Sequence, residues 1–164
     1  MNYGLGSSEI FYITPSPGGQ CPDEPCLTLS QFAANSSHYL STNTTLFFLA
    51  GNHSLESRLV IKRVYKVSML SYISSTAAVV CNHSWFKFNN VSEAYISGLT
   101  FIGCAGNNVK FVNQFTLEDS SFIGQQNINR RVLTLVQTSA IITCLLYTSP
   151  SPRDATLSRM PSSA

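Results

Sequence analysis

Glu118 and Asp119 stand side by side in the strand-rich part of the chain, and paired carboxylates are what glycan cleavage needs. To act as acid and base, or to hold Ca²⁺, carboxylates must meet partners at a fixed separation on one face. Aligned on the repeat described below, the residues one turn earlier are Ser97 and Gly98, and one turn later Ile142 and Thr143. No carboxylate faces either acid, so the pair reads as a solvated strand end. His53 and His83 are each the middle residue of an Asn-His-Ser triplet and His38 lies in a serine-rich stretch, which reads as three surface-loop histidines. The chain has no Gly-x-Ser-x-Gly, no glycine-rich phosphate loop and no Cys–His pair poised for nucleophilic work. The expectation is no catalytic residue, no metal site and no cofactor.

The cysteines point to structure. Cys21 and Cys26 bracket the tight loop CPDEPC and are close enough to pair locally, and zinc ligation lacks two further nearby ligands at zinc spacing. The fifth cysteine, Cys144, opens a segment of different character. Residues 144–154, CLLYTSPSPRD, and 158–164, SRMPSSA, match in frame the translation of a transposase sequencing adapter interrupted by a short index. Residues 144–164 are therefore expected to be adapter-derived, with the native chain cut off near Thr143. Set aside, they leave an even cysteine set, Cys21, Cys26, Cys81 and Cys104, which suits an oxidising compartment. The apolar run 132–147 then becomes a strand joined to foreign sequence, and it is short of the roughly 20 residues a bilayer requires.

Five Asn-x-Ser/Thr sequons, at Asn35, Asn43, Asn52, Asn82 and Asn90, agree with that compartment. No basic region followed by an apolar core opens the chain, so Met1 reads as an internal methionine. Charged residues make up 11% of the sequence and the formal charge is +2, or +1 without the last segment, which gives nucleic acid and anionic membranes no electrostatic case.

Three levels of organisation follow. Residues 1–28 form an entry segment carrying a short strand over Glu9–Thr14 and the Cys21/Cys26 loop. Thr28 then heads TLSQ, a capping box, with Leu29, Phe32 and Ala33 at helical spacing. One short helix is predicted here, placed to cover the first open end of residues 29–143, an incomplete β-solenoid. Its signature is repetition: ISGLTFIG at Ile96–Gly103 returns as LEDSSFIG at Leu117–Gly124. Aligned on Val64, Val91, Val112 and Val136, the columns Ile61/Phe88/Val109/Leu133 and Met69/Ile96/Leu117/Ile141 are apolar throughout, and Lys62/Asn89/Lys110/Thr134 is polar throughout. Like positions stack inward across the roughly 4.8 Å strand spacing. Phe101 and Phe122 add an aromatic stack, and Gly103 and Gly124 mark the turn after it. Cys81 and Cys104 then lie about one turn apart, within disulfide reach, with two buried thiols as the alternative. An antiparallel sandwich would not keep such columns.

The entry segment FYITPSPGGQCPDEPCLTLSQFA, the strand and turn TLFFLAGNHSL, and the turns VSEAYISGLTFIGC and FTLEDSSFIGQ resemble animal extracellular proteins with a right-handed parallel β-helix, similar in fold to pectin lyases. The resemblance covers residues 9–143. It implies an all-β fold, a secreted or cell-surface ectodomain, and membrane attachment only through an anchor outside this sequence. It carries over no catalytic residue. The function expected is an interaction or structural module whose partner is an extracellular glycan or a cell-surface protein; the alternative is a polysaccharide lyase or glycoside hydrolase whose active turns lie elsewhere. Lys62 and Lys110 could receive an acidic glycan, with Arg63 and Lys66 near, and Trp85 could stack on a sugar. Lysines on an outer strand face also simply keep a sheet soluble.

Overall fold

The computed structural model describes residues 8–124, 131–143 and 145–148. Each turn of chain contributes strands to three faces of a parallel β-solenoid of about four turns. The entry strand β1 (Ser8–Thr14) pairs with β2 (Cys26–Thr28), which leads into helices α1 (Leu29–Ala34) and α2 (Ser36–Tyr39). Strands β3 (Asn43–Phe48), β4 (Gly51–Leu55) and β5 (Leu59–Lys62) make the first turn. They are followed by β6 (Lys66–Ser71), β7 (Ala77–Cys81), β8 (Phe86–Ser97), β9 (Leu99–Ile102), β10 (Asn107–Glu118), β11 (Ser121–Ile123), β12 (Leu133–Val136), β13 (Ala140–Thr143) and β14 (Leu146–Thr148).

All pairings among the described strands are parallel, which excludes the antiparallel sandwich. The first face stacks β1, β3, β6, the second halves of β8 and β10, and β13. The second stacks β4, β7, β9, β11 and β14. The third stacks β5, the first halves of β8 and β10, and β12.

Alternation of side chains with period two sends one set from every strand into a shared core. On the first face Leu46, Met69, Ile96 and Leu117 are in register and buried. On the second, Phe101 and Phe122 stack at 4.8 Å with 15° between ring planes. Gly103 and Gly124, both at φ +66°, follow them in the left-handed conformation that costs glycine least. One polar residue interrupts the third face: Asn107, fully buried between Phe86 and Leu133 in its column. Its Oδ1 accepts the Phe86 N–H at 3.2 Å and its Nδ2 donates to the Val132 carbonyl at 2.9 Å, so one carboxamide ties three turns together. The spacing of apolar residues carried no sign of it.

The capping box forms as expected. Thr28 Oγ1 accepts the Gln31 N–H at 3.2 Å, while Gln31 Oε1 accepts the Thr28 N–H at 2.8 Å. Leu29, Phe32 and Ala33 turn into the end of the core, Phe32 packing edge-on against Phe11 at 5.4 Å. The prediction of one helix is too few, since Ser36–Tyr39 forms a second. Serines from both helices then meet strand edges of the first turn. Ser30 Oγ donates to the Ser54 carbonyl of β4 at 2.8 Å, and Ser36 Oγ to the Val60 carbonyl of β5 at 3.2 Å.

The last turn needs a correction. The register runs Lys62 to Asn89 to Lys110 as aligned from sequence, but Lys110 then pairs with Val136, and Thr138 rather than Val136 lies level with Val112, its Oγ1 accepting the Val112 N–H at 3.3 Å. Leu135 rather than Leu133 continues the column of Ile61, Phe88 and Val109, and Val136 rather than Thr134 continues that of Lys62. The slip turns Leu135 inward and Val136 outward while Leu133 and Thr134 keep their sides, and because Leu135 and Val136 are both apolar the pattern LTLV fits either register. Ile142, not Ile141, pairs with Leu117, and Glu118 therefore faces Thr143 instead of Ile142. The expectation for residues 144–164 lies, apart from 145–148, outside the described residues; Leu146–Thr148 pair with β11.

Candidate functional site

The third face presents two outward columns to solvent. Lys62, Asn89, Lys110 and Val136 form one, and Val60, Lys87, Asn108 and Thr134 form the other. Lys62 and Lys110 thus flank Asn89, as their spacing suggested. Lys87 joins them on the strand between, two residues along from Asn89, and was not singled out in the sequence. The signal was present, since an i, i+2 relation to Asn89 puts both on one side of a strand. No carboxylate occupies either column.

This face ends at a corner built from backbone of unusual hand. Arg63, Asn90, Phe111 and Gln137 stack there with φ of 59°, 57°, 54° and 46°. Each follows an outward residue and, in the first three turns, precedes a buried valine, so the chain presents two successive residues to solvent before turning in. Phe111 stays 50% exposed beside Lys110, an apolar ring on a cationic face. Asn and other short polar residues tolerate this conformation best, and a phenylalanine held there is an outlier.

Beyond Lys62 and Arg63 the face opens into a groove of about 680 Å³ against α2, with Ser36, Ser37, Ser41 and Thr42 on its far wall. Of the two further cations considered, Arg63 lines this groove, whereas Lys66 is engaged with Glu93 at 3.3 Å.

Trp85 belongs elsewhere. It stands at the opposite end of the Phe86–Asn89 stretch, with the Arg58 guanidinium 4.3 Å over its ring, in a second groove of about 660 Å³ shared with Asn82, His83, Gly103 and Gly124. The tertiary fold therefore brings Lys62 and Lys110 together and leaves Trp85 apart from them.

Cys21 is bonded to Cys26 and Cys81 to Cys104, with Cα separations of 5.9 and 4.9 Å. The second bridge joins consecutive turns where β7 and β9 end. The sequon asparagines differ in setting. Asn35, Asn52, Asn82 and Asn90 are exposed, whereas Asn43 is half-buried in β3 with its carboxamide oxygen buried.

His83 and His38 are exposed, but the reading of His53 as a surface-loop residue is wrong. His53 lies in β4 at 1% exposure, in register with Val79 and, through it, with Phe101 and Phe122. Its neighbours Asn52 and Ser54 point outward, which is why the triplet looks like a polar loop. Its Nε2 donates to the Leu49 carbonyl at 2.7 Å, and burial lowers its pKa below the usual 6.5.

Glu118 accepts a 2.8 Å hydrogen bond from the Tyr95 hydroxyl, and its strand neighbours in register are Ser97 and Thr143. No group of three or more His, Cys, Asp or Glu able to hold a metal ion occurs among the described residues, and no helix among them is long and apolar enough to cross a membrane. No protein-family model, no curated protein and no solved structure matches this chain.

Proposed function

We propose that this chain is a secreted or cell-surface module, a right-handed β-helix of pectin-lyase-like fold, that binds an acidic glycan on its third face and performs no covalent chemistry on it. The observation that carries this reading is the register that sets Lys62 and Lys110 on either side of Asn89 with Lys87 beside them. Three ammonium groups on three successive turns form a repeated point-charge array, and sulfates or carboxylates recur along an acidic glycan in the same way. The hydroxyl-lined groove beyond Lys62 and Arg63 adds donors and acceptors for sugar hydroxyls, and the exposed Phe111 ring offers an apolar surface to a sugar's C–H face. Two disulfides and exposed sequons suit an oxidising, glycosylating compartment. Membrane attachment, in this reading, comes from an anchor outside the sequence.

The test is retention of the unglycosylated, oxidised chain on an immobilised sulfated glycosaminoglycan, against a neutral polysaccharide as control. Retention should be selective at low ionic strength and vanish near 1 M salt, where the Debye length falls to about 3 Å. The combined variant Lys62→Ala, Lys87→Ala, Lys110→Ala should flow through while keeping its far-ultraviolet spectrum. Equal retention of that variant removes the reading.

A further inference from the structure

We infer that a glycan carried on Asn90 stands over the lysine face and excludes the acidic ligand, so that occupancy of this one sequon sets whether the site is open. The inference rests on the acidic-glycan reading above. Asn90 directly follows Asn89, the residue flanked by Lys62 and Lys110, and it is exposed at the corner between Arg63 and Phe111. With consecutive Cα atoms about 3.8 Å apart and strands about 4.8 Å apart, its Cα lies within roughly 9 Å of those of both lysines. A sugar attached to its carboxamide therefore starts at the centre of the charged surface's edge.

The corner's backbone gives a local reason for an asparagine, whose short polar side chain tolerates φ of 57°. It gives no reason for the Ser92 that completes Asn90-Val91-Ser92. Phe111 and Arg63, the residues stacked on either side, are the same ones that border the proposed ligand surface. A glycan rooted between them competes for that surface by volume alone, with no change in the lysines or the fold.

The experiment compares the chain secreted from eukaryotic cells with its Ser92→Ala variant, which abolishes the sequon and leaves Asn90 in place. Both are run on the sulfated glycosaminoglycan column beside the unglycosylated chain, with Asn90 occupancy measured by glycopeptide mass spectrometry. The expected result is Asn90 occupied in the secreted protein, retention lost there, and retention restored in Ser92→Ala and in the unglycosylated chain. Adding the three lysine substitutions to Ser92→Ala should abolish the restored retention. If the unglycosylated chain binds but secreted wild type and Ser92→Ala elute together, or if Asn90 is unoccupied, the gating inference is overturned and the binding reading stands. If the unglycosylated chain does not bind, the binding reading itself falls, and the gate with it.

Discussion

The Ser36 hydroxyl donates to the Val60 carbonyl across 3.2 Å, joining the second cap helix to the edge of the first-turn strand on the third face. A solenoid begins with unpaired strand edges, which invite association unless covered. Here Ser36 serves β5 and Ser30 serves β4, its oxygen also receiving the Glu56 N–H at 3.4 Å. Replacing both by alanine should cost roughly 1.5–4.5 kcal/mol in urea unfolding, from three lost hydrogen bonds of ordinary net worth. Thr28→Ala, which removes the capping box, should cost about 1 kcal/mol. An unchanged midpoint in the double serine variant would mean that water serves those carbonyls equally well.

His53 should make stability pH-dependent in a defined direction. Its folded pKa is depressed by burial, so the unfolded chain binds the proton more readily. The stability this residue contributes is complete above its unfolded pKa of about 6.5 and is lost as pH falls below that value and through the lowered folded one. His53→Leu, which keeps an apolar group in the column of Val79, should flatten the fall in unfolding free energy between about pH 7 and pH 5. A variant whose profile parallels wild type across that window would assign the pH dependence to other groups.

The two disulfides should differ in their effect. Chain entropy makes the loop closed by Cys81–Cys104, with a separation of 23 residues, worth roughly 3 kcal/mol, and the five-residue separation of Cys21–Cys26 worth about 2. Burial widens the difference, since Cys104 is fully buried and the Cys21–Cys26 loop lies at the surface. Paired Cys→Ser variants compared by denaturant unfolding should rank in that order; the reverse ranking would show that the inter-turn bridge adds little once the turns are stacked.

Sequon use should follow exposure. In chain secreted from eukaryotic cells, glycopeptides are expected at Asn35, Asn52, Asn82 and Asn90 and an unmodified peptide at Asn43. Asn43 lies in register with Ser8 and Lys66 and has a buried carboxamide oxygen, so chains modified there before folding could not close the first face. Full occupancy of Asn43 in folded, secreted protein would contradict this placement.

The sequence by itself determined that the chain is a solenoid and where it is capped. Columns such as Ile61, Phe88 and Val109 recur because every turn must send the same positions into one core, and a capping box is a purely local hydrogen-bond arrangement. What it left undecided depends on register between turns. Leu133 and Leu135 are interchangeable under a two-residue slip, His53 looks like a loop residue until Val79 is known to lie beside it, and Lys87 joins Lys62 and Lys110 only once their strands are aligned. Those alignments are set by hydrogen bonds between strands 21 to 27 residues apart and by the loops that absorb the difference, so only the tertiary structure decided which side chains share a face.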